Sequence, residues 1–227
     1  MKKIIFITFA LFWTASACRD PFNSSLNSPG TIFLKEKVKN IENFETAFLN
    51  ECSNLKAQGF MAYSLHRDLY DPHVIILILK CSDLEKGLMF TRSPAFLETM
   101  YFRAGANIPT FWYGLDVTDR KFDNQSHMSG GIVIARNEVR SYKYWKTCFD
   151  QESGGKHNHP GRKYKNSNYC HYWLPGNPEV AIVTHDASDV TKAPVFMTSD
   201  ALDCVMEATG VVGIEIWYGF NLEQGIL

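Results

Sequence analysis

Hydrophobic and polar positions along this chain follow one order twice. Residues 74–80 (VIILILK) read as an apolar strand, Ser82-Asp83 as a helix start, and the stretch through Met100 as a helix. A strand ending in Trp112-Tyr113-Gly114 follows. Residues 181–187 (AIVTHDA), Ser188-Asp189, a helix through Met206 and a strand ending in Trp217-Tyr218-Gly219 repeat that order. Upstream of each lies a strand, a helix and a second strand. Residues 31–38 (TIFLKEKV) and 130–139 (GGIVIARNEV) are the strands that open each copy. Residues 41–55 carry Phe44, Phe48 and Leu55 at helical spacing, and residues 140–151 carry Tyr144, Trp145 and Phe149. Asn40 is placed to cap the first of these helices and Gly59 to end it. The turns Asp71-Pro72 and Asn177-Pro178 join strands 60–69 and 169–174 to the strands that follow. Each copy therefore reads β-α-β-β-α-β, the mark of a duplicated unit. The repeats span 31–117 and 130–222, with the polar stretch 118–129 between them.

The strands are apolar at consecutive positions, so both faces of each sheet need cover. A four-stranded sheet with two helices on one side leaves its other side bare. Two such sheets from one chain cover each other, favoured by roughly 25 cal/mol per Å² of apolar area removed from water. The expected fold class is α+β: two tandem βαββαβ ferredoxin-like repeats packing sheet to sheet as an intrachain α+β barrel.

The residues Ser82-Asp83, Ser93-Pro94-Ala95, Gly105 and Trp112-Tyr113-Gly114 mark the first copy. Ser188-Asp189, Ser199-Asp200-Ala201, Gly210 and Trp217-Tyr218-Gly219 mark the second. On these residues the chain resembles the dimeric α+β barrel superfamily, in particular its antibiotic biosynthesis monooxygenase-like branch. The resemblance covers nearly all of 31–222. It implies that the tandem repeat forms within one molecule the barrel that single-repeat members form as dimers. It also implies that a haem-binding member would place a His on its second helix. Residues 95–104 (AFLETMYFRA) and 201–210 (ALDCVMEATG) contain none, so no cofactor is expected. Fold alone does not name a reaction.

The N-terminus reads as an address. Lys2-Lys3 precede the apolar stretch 4–13, and Ala15-Ser16-Ala17 is a small-residue exit. Residues 1–17 are thus expected as a signal peptide, with residues 18–30, rich in Pro, Ser and Asn, as a tether. Cys18 follows the exit as the lipidated first residue of a bacterial lipoprotein, which places the chain in the cell envelope. Ordinary secretion with an incidental Cys18 is the other reading. Five further cysteines show no CxxC spacing, so neither a zinc ribbon nor a thioredoxin-like site is indicated. Cys148 and Cys204 fall on two predicted helices of the second repeat, where they could pair. A net charge of −1 gives no electrostatic case for nucleic acid. The membrane is reached through the lipid anchor only, and the chain is expected as a monomer or homodimer.

Aligning the two turns sets Leu65 against His171 and Leu79 against His185. The second repeat thus has two histidines where the first has leucines, with Tyr169 and Trp173 on the same strand face as His171. Two ring nitrogens between aromatic walls suit a flat ligand, acid–base work or a metal. Two core or rim histidines that drifted after duplication are the plainer reading. His157 and His159 form a weak His-x-His metal candidate in a Gly- and Lys-rich loop, which reads better as solvated surface. Trp112 and Trp217, at matched positions, suit core duty. Two functions remain. One is an anchored protein that binds a small, aromatic ligand or an envelope partner. The other is a cofactor-independent oxygenase or isomerase acting on a planar substrate in the second-repeat cleft.

Overall fold

A computed structural model describes residues 26–117, 130–154, 169–174 and 176–227. Cys18, the linker 118–129 and the loop with His157 and His159 lie outside the described residues. The first repeat contains β1 (Gly30–Lys37), α1 (Ile41–Ala57), β2 (Phe60–Asp68) and β3 (Val74–Cys81). After these come α2 (Leu84–Thr91), α3 (Pro94–Leu97), a π-helical turn (Glu98–Arg103) and β4 (Thr110–Asp116). The second contains β5 (Gly131–Val139), α4 (Tyr142–Gly154), β6 (Tyr169–Trp173) and β7 (Val180–Ala187). A 3₁₀ turn (Val190–Lys192), α5 (Ala193–Met197), α6 (Asp200–Ala208) and β8 (Val211–Ile226) complete it.

Local chemistry accounts for the helix boundaries. Asn40 Oδ1 accepts from the Asn43 amide at 2.7 Å, and Asp83 Oδ1 from the Lys86 amide at 3.0 Å. Ser93 and Ser199 cap the restarts at α3 and α6 through the Phe96 and Leu202 amides, at 3.3 and 3.4 Å. Gly105 and Gly210, at φ 70° and 81°, turn the chain out of the helical layer of each repeat in a conformation that costs other residues strain.

The eight strands close into one barrel in the order β1-β3-β2-β8-β5-β7-β6-β4. Each repeat supplies a four-stranded antiparallel sheet. The joints between repeats are β2 with β8 and β4 with β6, the second through Leu115 opposite Trp173 and Asp116 opposite Tyr172. The β4–β6 joint is short, two pairs among the described residues, whereas β2 and β8 pair along most of β2. Closure explains a difference from the sequence reading, which ended the last strand near Asn221. β8 runs on to Ile226 because its second half pairs with β2, from Asp68 opposite Gly219 to Ala62 opposite Ile226.

Side chains alternate between two cores. Inside the barrel, Phe33, Ile78, Trp112, Ile134, Tyr172 and Trp217 belong to one buried cluster. Trp112 and Trp217 stack there with ring centres 3.5 Å apart. The outer faces lie under the helices, and in the first repeat they form one cluster including Leu34, Leu65, Leu77, Phe44, Phe48 and Met100. Asp116, at a strand end, accepts from the Thr31 hydroxyl at 2.8 Å. Among the described residues no helix is long and apolar enough to cross a membrane.

Candidate functional site

Strand pairing makes the repeats comparable residue by residue on the helix-covered face. Ile32 pairs with Leu79, Leu34 with Leu77 and Glu36 with Ile75. At the same places in the second repeat, Val133 pairs with His185, Ala135 with Val183 and Asn137 with Ala181. The second face is therefore smaller at Val133, Ala135, Ala181 and Val183, and polar at His185. A protein interior closes such gaps only partly.

The helical layer above differs in the same direction. In the first repeat, Leu84, Leu88, Phe96 and Met100 are buried against the sheet. In the second, α5 buries no residue, and none of 202–208 on α6 is buried. The outer core correspondingly splits. Val139, Tyr142, Trp145, Trp173, Ala181 and Val183 belong to the main outer cluster, whereas Val133, Val190 and Tyr218 form a separate one. Ile214 on β8 is 38% exposed and Ile216 beside it only partly buried. The outer sheet face of the second repeat is thus built of smaller residues, under helices that bury less against it than those of the first repeat. Ala135 and Val183 are buried on that face.

The side chains covering one end of this face are aromatic. Trp145 stacks on Phe149 with centroids 4.7 Å apart, and Tyr142 lies 6.4 Å from Trp173. The polar groups are few. Asn137 Nδ2 donates to the Ala135 and Ala181 carbonyls, both at 3.4 Å, so its amide ties β5 to β7. His185 is partly buried and sits at the boundary between the two clusters. Near the far end, burial and then the neighbouring Tyr70 push the Tyr218 hydroxyl up to about 12, so it stays a neutral donor. Tyr70 meets Tyr218 edge to face at 5.9 Å.

The sequence candidates fall on this face in a specific register. Tyr169 pairs with His185, His171 with Val183 and Trp173 with Ala181. Positions 169, 171 and 173 therefore share the helix-covered face with 181, 183 and 185. The two histidine positions are diagonal neighbours, two residues off direct opposition. Among the described residues no group of three His, Cys, Asp or Glu could hold a metal ion. Sequence reasoning missed Ala135 and Ala181, because a small residue in a strand carries no signal until its counterpart in the other repeat is known. It also missed Glu36, a carboxyl buried under the first-repeat helices whose pKa burial pushes up to about 8.

No family model matches the chain, and no curated protein matches it. Solved structures do. A candidate monooxygenase from Lactobacillus acidophilus NCFM superposes with a TM-score of 0.60 at 11% identity, over 88% of this chain and 98% of that one. An anthrone oxidase-like protein gives 0.57 at 10%, over 88% and 93%. A haem-binding protein from Thermus thermophilus gives 0.50 at 12%, over 86% and 92%. At such identities the likeness establishes the fold, a ferredoxin-like α+β barrel. Helices α5 and α6 contain no His, so the residues present do not fit a haem held from that layer.

Proposed function

We propose that this chain is an exported, lipid-anchored tandem barrel that binds a small planar ligand between the outer face of its second repeat and helices α4 and α6. One observation carries the reading: the matched positions on that face are smaller than in the first repeat, and no residue of α5 or of the 202–208 stretch of α6 is fully buried against it. Aromatic walls at Tyr142, Trp145, Phe149 and Trp173 suit a flat, largely apolar molecule, with His185 as an orienting polar group.

Refilling the floor tests this. Ala135→Leu restores the residue found at the matched position 34. It is expected to weaken binding of the planar fluorophore 1-anilinonaphthalene-8-sulfonate at least about tenfold, some 1.4 kcal/mol, with the circular dichroism spectrum unchanged. An unaltered dissociation constant in the folded variant removes the cleft as the site. The address has its own measurement. Intact-mass analysis of the mature chain from a bacterial host should find it beginning at a diacylglyceryl-modified Cys18, and an unmodified thiol there ends the anchor.

A second reading is a cofactor-independent oxygenase or isomerase with His185 as general base. It draws support from the fold shared with proteins described as a monooxygenase and as anthrone oxidase-like. Dioxygen uptake with anthrone separates it from pure binding.

A further inference from the structure

The helices over the proposed second-repeat site carry a thiol pair that neither reading uses. Strands β5 and β7 are antiparallel, and α4 and α6 each return along the strand before them, so the two helices are also antiparallel. Contacts at one end set their register. The Arg140 amide donates to the Gly210 carbonyl at 2.9 Å. A methyl group at Gly210 would lie 3.7 Å from the Tyr144 ring. The Tyr144 hydroxyl donates to the Ala208 carbonyl at 3.2 Å. One turn further along α4 is Cys148, whose hydrogen bond with Tyr144 raises the tyrosine's pKa. One turn back along α6 is Cys204. Four residues further along each antiparallel helix, from Tyr144 and Ala208, the same register brings 148 toward 204.

Both sulfurs are free thiols in the structure, Cys204 exposed and Cys148 partly so. The pair foreseen from sequence is therefore open here rather than bonded. Neither is buried, so a small oxidant reaches them.

We propose that Cys148 and Cys204 form a redox latch, closing to a disulfide that ties α4 to α6 and narrows entry to the cleft below. The latch rests on the cleft reading. Its chemistry is thiol–disulfide exchange with a small-molecule or protein disulfide. The Cys204 thiolate attacks the donor, forming a mixed disulfide and releasing one thiol. The Cys148 thiolate then attacks the Cys204 sulfur and releases the second. The donor gains two electrons and two protons, and the chain loses two hydrogens. A disulfide requires Cα atoms within roughly 7 Å, so closure fixes the spacing of the two helices at this turn.

Glutathione disulfide added to the reduced full chain tests this. The expected product is two hydrogens lighter, with the peptide containing Cys148 linked to that containing Cys204. Affinity for 1-anilinonaphthalene-8-sulfonate falls about tenfold, dithiothreitol restores it, and Cys148→Ser shows neither change. Stable glutathione adducts, or pairing of either residue with another cysteine, overturn the latch. So does a Cys148–Cys204 bond that leaves fluorophore affinity unaltered, an outcome that spares the cleft itself. A reduced chain that does not bind the fluorophore overturns both.

Discussion

Replacing Trp217 by Ala is expected to lower the unfolding free energy by about 3–5 kcal/mol, the range for deleting a large buried aromatic. The cause is specific to this barrel. Trp217 comes from the second repeat and stacks on Trp112 from the first, with centroids 3.5 Å apart and planes 17° from parallel. The pair is the place inside the barrel where matched residues of the two copies meet. Glu215 accepts from the indole N–H at 3.2 Å, and the Lys35 ammonium lies 5.7 Å from the ring centre. Lys35 also pairs with the buried Asp68 at 2.6 Å. The truncation therefore opens a void and removes one support of a partly buried cation. Urea unfolding measures the loss. Trp112→Ala should cost a similar amount, and the double variant less than the sum, since both lose the same contact. A single-variant loss below about 1.5 kcal/mol, or strict additivity, would show that the stack does not join the halves.

Glu36→Gln should stabilise the protein, and by more as the pH rises. Glu36 is 4% exposed beneath the first-repeat helices, and burial raises its pKa from 4.5 to about 8. Between those values the folded chain holds a proton that the unfolded chain has released. The unfolded state thus gains about 1.36 kcal/mol per pH unit in that window, and stability is lost as pH climbs from 4.5 to about 8. Gln keeps the shape and has nothing to ionise. The gap between variant and wild type should widen from under about 1 kcal/mol at about pH 5 to about 4 kcal/mol at about pH 8. The second repeat already places an amide here: Asn137 occupies the matched register and bonds the Ala135 and Ala181 carbonyls. Parallel stability curves for the two proteins would refute the assignment of a neutral acid at position 36. A carboxylic acid retained at this cost in one repeat, against an amide in the other, is a second asymmetry between copies that otherwise share a fold.

Much of the architecture was legible along the chain. Asn40 and Asp83 act as the caps their positions suggested, and Ser93 and Ser199, matched in the two copies, cap the helices that follow them. The paired Gly105 and Gly210 end matched helical layers, and the matched tryptophans do pack the barrel. The candidate site was legible only in part. The substitution of His185 for Leu79 stood out by polarity. The loss of volume at Ala135 and Ala181 did not, because small residues are inconspicuous without a known register. The relation of position 171 to 185 also needed strand pairing, which set them two residues apart on one face.

By itself the sequence determined what depends on neighbours a few residues away: the helix starts and stops, the hairpin turns, the strand alternation and the duplication they spell out. Only the tertiary structure decided which faces line the barrel and which lie under helices, how β2 meets β8 and β4 meets β6, and which small residues of the second repeat stand where the first has large ones. Those outcomes depend on contacts between residues far apart in the chain. A strand's alternation fixes that its two faces differ, but which one is enclosed, and by what, is set by its partners.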